Sequence, residues 1–218
     1  MSWRGEEGGI AAARQGHDVI MTPTNWCYFD AGQGPEAQES WRLGGEISLA
    51  KVYSYNPVPA ALEKEHQHFI RGVQANVWTE YLRQPEKIEY MVFPRILAMA
   101  EVGWSAQEKR EFSNFEQRLA AHYPRLSQQK IAYRIPRPQG LDEIVIKNAQ
   151  AQMTLRAPVA ASKLFYTLDG SEPTLSATLY KTPVKFPLKQ VVTVKVLTVL
   201  PDGRQSAVQQ VILSLPLK

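Results

Sequence analysis

Two kinds of hydrophobic pattern follow one another along this chain. In the first, short helical stretches lead into short apolar runs. Gly8 to Gln15 places Ile10 and three alanines behind a glycine entry, a short helix that Gly16 stops. Asp18 to Thr22 then reads as a short buried strand closed by Pro23. The step recurs further on. Glu63 to Phe69 reads as a second short helix, and Val73 to Glu80 (V-Q-A-N-V-W-T-E) as a buried strand whose last residues emerge at a rim. Between the two steps, Ala31 to Leu43 is a polar loop, and Ile47 to Tyr55 is irregular chain with one helical turn. Lys87 to Trp104 is apolar on one side, and Pro94 opens a new helix within it. Phe93 and Trp104 are expected in the core. Ser105 with Glu108 has the spacing of a capping box, ahead of a stripe of Phe112, Phe115, Leu119 and Tyr123. Strand–loop–helix steps of this kind fit part of a (β/α)-barrel or a doubly wound sheet.

The second pattern begins after a linker. Ile131 to Gly140 carries Pro136, Pro138 and Gly140. Short strands follow at Ile144–Ile146, Met153–Leu155, Leu164–Thr167, Val191–Leu200 and Val208–Leu213, with hairpin-type turns at Asp169-Gly170 and Asp202-Gly203. That spacing predicts an all-β sandwich of roughly 75 to 80 residues. The fold class is therefore α/β followed by all-β, with a boundary between residues 136 and 137 of the 218.

Composition narrows the function. A hydrophobic share of 44% and a charged share of 21% are those of a soluble globular protein. The net charge of +4 is mildly basic, but no Lys/Arg block stands out, so nucleic-acid binding is not supported. No apolar run reaches the roughly 18 residues of a membrane span. The single cysteine, Cys27, rules out an internal disulfide and reads as a packing residue. His17, His66, His68 and His122 lack carboxylate or cysteine partners at metal-binding spacing. Met1-Ser2-Trp3-Arg4-Gly5 has no signal peptide and reads as the middle of something, so the chain is expected to begin inside a larger fold.

The candidate chemistry lies at the rim of the second step. In an extended chain Trp78 and Glu80 point to the same side. One offers a flat apolar wall and the other hydrogen-bond acceptors, which is equipment for holding a sugar. A core tryptophan with a solvated glutamate fits the same residues. Trp26 and Trp41 either line a cleft there or cover it.

Four motifs taken together carry a resemblance. M-S-W-R-G-E-E-G-G-I-A-A-A-R-Q-G-H-D-V-I-M-T-P, then C-Y-F-D, then Q-A-N-V-W-T-E-Y, then F-P-R-I-L-A-M-A-E-V-G-W-S closely resemble glycoside hydrolase family 20, the β-N-acetylhexosaminidases including chitobiases. The resemblance covers about Met1 to Pro136 and corresponds to the C-terminal part, about the last three strands, of a (β/α)8 TIM barrel. Tyr166 to Tyr180 (Y-T-L-D-G-S-E-P-T-L-S-A-T-L-Y) resembles the small immunoglobulin-like β-sandwich that follows the barrel in many bacterial members. By this resemblance Trp3 and Trp78 wall the pocket for the N-acetyl group and the terminal sugar. Tyr28 donates a hydrogen bond to the acetamido carbonyl oxygen, and Asp30 and Glu80 bind sugar hydroxyls. The implied reaction removes terminal non-reducing N-acetylhexosamine with retention. The substrate's own acetamido oxygen is the nucleophile and an oxazolinium the intermediate, which the usual two-carboxylate scheme does not cover. No metal or organic cofactor is implied. The implied partners are chitooligosaccharides or glycans ending in N-acetylglucosamine or N-acetylgalactosamine, and the implied location is periplasmic, cell-surface or secreted.

One part of the family pattern is missing. The acid/base Asp-Glu pair of that family sits in an H-x-G-G-D-E segment, and the one Asp-Glu dipeptide here, Asp142-Glu143, has no such setting and reads as a solvated turn. Glu6-Glu7 suits a helix start, where carboxylates favour the dipole. The chain alone is thus expected to be inactive, with exposed sheet edges. A non-catalytic carbohydrate-binding or adhesion module is the alternative. The aromatics of the sandwich (Phe165, Tyr166, Tyr180, Phe186) are few and suit packing.

Overall fold

A computed structural model describes residues 1–35, 39 and 43–215. The chain divides into two compact units, Met1–Arg134 and Ile135–Lys218.

The first unit is α/β. Helix α1 (Glu7–Arg14) ends before Gly16, whose φ of +77° suits a residue without Cβ. It lies on strand β1 (Val19–Met21) so closely that a Cβ on Gly9 would sit 2.4 Å from the Met21 sulfur. A short helix α2 (Thr24–Cys27) follows Pro23, then β2 (Ala31–Gly32), which pairs in parallel with β3 (Leu43–Glu46). Helix α3 (Leu49–Ser54) is capped by the Ser48 hydroxyl, which accepts from the Lys51 N–H. A 3-10 turn over Lys64–Phe69 leads into β4 (Ile70–Val73), which pairs in parallel with β1.

The second strand therefore ends where the hydrophobic run predicts that it starts. Its partner explains the difference. β1 stops at Met21, and Pro23 beyond it has no N–H to donate, so the ladder does not continue past Val73. Gln74 N–H still reaches Met21 O at 3.0 Å, and Asn76 forms an isolated parallel bridge with Tyr28.

Helices α4 (Pro85–Val92) and α5 (Arg95–Trp104) are separate, with Pro94 between them as expected. The buried stripe of α5 is Arg95, Ala98, Met99 and Val102. Trp104 lies off that stripe and is 93% exposed, so its expected place in the core is wrong. Ser105 caps no following helix; its N–H closes α5 on Glu101 O at 2.9 Å. After a 3-10 turn at Gln107–Lys109, the Arg110 guanidinium reaches the carbonyls of Tyr53 and Tyr55, and the chain stays extended there until α6 (Phe112–Leu119) opens. Phe115, Leu119 and, on α7 (His122–Gln128), Tyr123 are buried.

The second unit is all-β. Strands β5 (Val145–Lys147), β6 (Gln150–Met153) and β9 (Val184–Pro187) form one antiparallel sheet. Strands β7 (Lys163–Thr167), β8 (Thr178–Leu179), β10 (Val192–Val199) and β11 (Gln209–Leu213) form the other, in the order β11-β10-β7-β8. Leu141, Met153, Leu188, Val194 and Val196 make a continuous apolar core. Asp202-Gly203 turns the chain back so that Leu200 N–H meets Arg204 O at 2.9 Å. Asp169-Gly170 closes no two-residue hairpin. The Asp169 carboxylate takes the N–H and hydroxyl of Ser171 instead, which starts a longer loop toward β8.

Candidate functional site

The site grows from the carboxyl ends of adjacent backbone segments. Ser2 and Trp3 run beside β1: Ser2 N–H donates to Ile20 O at 3.1 Å, Thr22 N–H to Ser2 O at 2.9 Å, and Thr24 N–H to Trp3 O at 3.0 Å. On the far side, Asn76 joins two segments with both its backbone and its side chain. Asn76 N–H donates to Cys27 O and receives the Phe29 N–H on its own carbonyl, both at 2.7 Å, while its side-chain amide donates to the Thr22 hydroxyl at 2.6 Å. Nothing in the apolar pattern marked Asn76 for that role. A polar residue in the middle of a run assigned to a strand was the available signal.

This weave brings four of the five candidates together. The rings of Tyr28 and Trp78 lie 6.3 Å apart at 51°. Asp30 is 6% exposed, and its Oδ1 has no hydrogen-bond partner among the described residues. Burial raises the Asp30 carboxyl above its ordinary range, the charge of Glu80 pushes the same way, and Arg95 opposes both. Glu80 itself is exposed, and Trp78 is 53% exposed, a flat face open to a ligand. Trp3 is held at the same edge by its backbone, but its ring pairs with the Arg4 guanidinium at 4.6 Å and not with Tyr28 or Trp78.

A cleft of about 320 Å³ opens beside Tyr28 and Asp30, walled by Asn25, Gly44, Glu46 and Lys51. Its size is that of a small-ligand site. Trp3, Trp78 and Glu80 do not line it.

The other candidates fall into place around this. Trp26 stacks on Tyr55 with centroids 5.1 Å apart and is half-buried, a packing role. Trp41 lies outside the described residues. Cys27 is fully buried, and burial pushes its thiol up to about 12, so it is no nucleophile near neutral pH. Asp142 is held by both arms of Arg137 at 2.7 Å. Among the described residues, no three His, Cys, Asp or Glu side chains converge as a metal site would require. No helix is long and apolar enough to cross a membrane.

One buried charged residue next to these candidates escaped the sequence reading. Arg95 is fully buried beneath the Tyr28–Asp30 segment, with its guanidinium 4.6 Å above the Phe29 ring. Burial pulls its pKa down to about 9, against the opposing pull of the Glu39 carboxylate.

Comparison with known proteins gives a consistent picture. The family model described as glycosyl hydrolase family 20, catalytic domain, matches residues 1–107, and one described as Fn3 associated matches residues 153–211. A β-hexosaminidase of Porphyromonas gingivalis (strain ATCC BAA-308 / W83) is 40% identical over 215 residues, which are 97% of this chain and 27% of that protein. The chain thus spans about a quarter of the length of that curated relative. The crystal structure of a family 20 exo-β-N-acetylglucosaminidase from Vibrio harveyi, in complex with N-acetylglucosamine, is similar over 61% of this chain and 21% of its own, with 33% identity and a TM-score of 0.52. A Streptomyces plicatus N-acetyl-β-hexosaminidase in complex with Thio-NAglucal is 28% identical over 61% of this chain and 26% of its own, with a TM-score of 0.51.

Proposed function

The chain belongs to glycosyl hydrolase family 20 through residues 1–107, and from that premise we propose that it forms the sugar-gripping part of a retaining β-N-acetylhexosaminidase. The α/β unit is then the C-terminal part of a (β/α)8 barrel, about its last three strands, and the β unit is an immunoglobulin-like accessory sandwich. The observation that carries this reading is the meeting of Tyr28 and Trp78 beside Asp30 and Glu80.

In this reading each residue has a task. Trp78 stacks on the sugar face and presses the acetamido group toward the anomeric carbon, with Trp3 as a further wall. Bringing the acetamido oxygen into line turns the attack into a positioned intramolecular step. The Tyr28 hydroxyl donates to the acetamido carbonyl oxygen as charge develops there. Asp30, with a buried oxygen lacking a donor, and exposed Glu80 accept from sugar hydroxyls. The substrate class is N-acetylglucosamine- or N-acetylgalactosamine-terminated glycans.

The cutting itself needs a general acid, and in this reading it does not come from the one Asp-Glu dipeptide, Asp142-Glu143, whose Asp142 pairs with Arg137. The 218-residue chain alone therefore binds N-acetylglucosamine without cleaving its glycosides. Two measurements test this. Titration with N-acetylglucosamine should move the amide resonances of Tyr28, Asp30 and Trp78, and silence there sinks the binding claim. Release of nitrophenol from a nitrophenyl N-acetylglucosaminide by the pure chain sinks the claim of inactivity.

A further inference from the structure

An arginine without solvent contact needs a reason for its place in a core. Arg95 has no ion pair among the described residues and is satisfied by backbone instead. Nη2 donates to Phe29 O at 2.6 Å, and Nη1 donates to Ala31 O and to Ile47 O, each at 2.9 Å. Nε and Nη2 also reach Met91 O, one turn back on the preceding helix, at 3.0 and 2.6 Å. Phe29 and Ala31 are the two neighbours of Asp30, and Ile47 belongs to the wall of the cleft that Tyr28 and Asp30 face. One rigid group thus ties together the segment around Asp30, Ile47 beside it, and the end of α4. A lysine ammonium is a single point donor and cannot span the same carbonyls.

We propose that Arg95 is a positioning residue of the sugar site, whose planar fork fixes the segment around Asp30 against the Ile47 wall and so aims Asp30 and Tyr28 into the cleft. The proposal rests on the sugar-binding reading above. It differs from a plain packing role in what it predicts. Loss of the fork disturbs the site before it disturbs the fold, because the charge, the volume and the Met91 contact can be kept while the span is lost.

The test compares the wild-type chain with Arg95→Lys, which keeps the charge and loses the fork. The variant should still melt cooperatively. Amide exchange at Phe29, Ala31 and Ile47 should accelerate by about tenfold or more while exchange in the β unit stays put. Affinity for N-acetylglucosamine should fall by about tenfold or more. The Asp30 carboxyl, followed by carbon NMR, should titrate as in wild type, because the cation beneath it remains. Unchanged sugar affinity in a folded Arg95→Lys overturns the proposal. Should that variant fail to fold, the wild type decides. Saturation with the sugar should shift the Arg95 guanidinium resonances, and a silent guanidinium beside shifting Tyr28 and Asp30 amides overturns the proposal. A wild type that binds no sugar sinks the sugar reading instead. In that case the exchange of Phe29, Ala31 and Ile47 in ligand-free Arg95→Lys still decides whether Arg95 sets the strand end.

Discussion

The two units bury different things. In Ile135–Lys218 the core is apolar, and among the described residues the buried polar side chains are Thr198 and Gln209. In Met1–Arg134 the buried set includes Asp30, Gln33, Glu39 and Arg95. Glu39 alone accepts from Gln33 N–H at 2.7 Å, Gly34 N–H at 3.3 Å, the Tyr90 hydroxyl at 2.8 Å and Arg134 Nε at 3.2 Å. The contrast follows from what each unit must hold. Antiparallel ladders with an apolar interior close a sandwich without further direction, because hydrophobic attraction is non-directional. Loops around a cleft have no ladder to fix their distances, and charge-assisted hydrogen bonds provide direction as well as strength.

Breaking the charged side should have the largest effect. Arg95→Met leaves the carbonyls of Phe29, Ala31, Ile47 and Met91 without that donor, at a cost of about 1–3 kcal/mol for each carbonyl that finds no other partner. All five tryptophans (Trp3, Trp26, Trp41, Trp78 and Trp104) precede Arg134, so the loss should appear in urea unfolding followed by tryptophan fluorescence. Breaking the apolar side comes next. Met153→Ala, at a fully buried position of the sandwich, should cost about 3 kcal/mol and leave the tryptophan transition in place. A shared shift in both variants would erase the comparison.

The same contrast decided how much was legible in the sequence. Periodicity is a record of apolar burial, and it gave away α1, β1 and the longer strands of the β unit, while proline marked the split between α4 and α5. It also singled out Trp78 and Glu80 as candidates, because an aromatic and a carboxylate at a strand-like spacing have a shared use. It missed Arg95, since an arginine at a helix start looks like a solvated residue unless the carbonyls around it are known. Asn76 hid for a related reason: its partners, Cys27, Phe29 and Thr22, are distant along the chain. Trp104 was misplaced because hydrophobicity speaks for burial only when the helical phase agrees. Strands β8 and β9 are too short or too interrupted by proline to show a period.

A smaller test sharpens the cost of keeping a charge at the site. The Asp30 carboxyl is raised above its ordinary 3.8 in the folded chain, so its ionised form opposes folding. That cost is full above the folded value, fades as pH falls through it, and is gone below the unfolded one. Asp30→Asn should therefore stabilise the chain near neutral pH, with the gain vanishing below about pH 4, while sugar binding weakens. Thermal melts from pH 3 to 7, at about one-unit steps, would show the trend or its absence. The smallest effect sets the baseline. Trp104→Ser removes a large side chain that is 93% exposed, and stability should stay within about 0.5 kcal/mol. A larger loss would mean that the outer side of α5 supports something the buried stripe does not.

The fully buried Cys27 offers a clock. As the chain's one thiol, it stands directly before Tyr28, and it is both inaccessible and protonated while the fold is closed. A thiol-alkylating reagent can therefore modify it only during excursions that lift the Thr24–Cys27 helix away. The rate of a single mass increment, read on the intact chain, counts those openings one at a time. A bound sugar that clasps the neighbouring Tyr28 should slow the count, without any label or substitution introduced into the molecule.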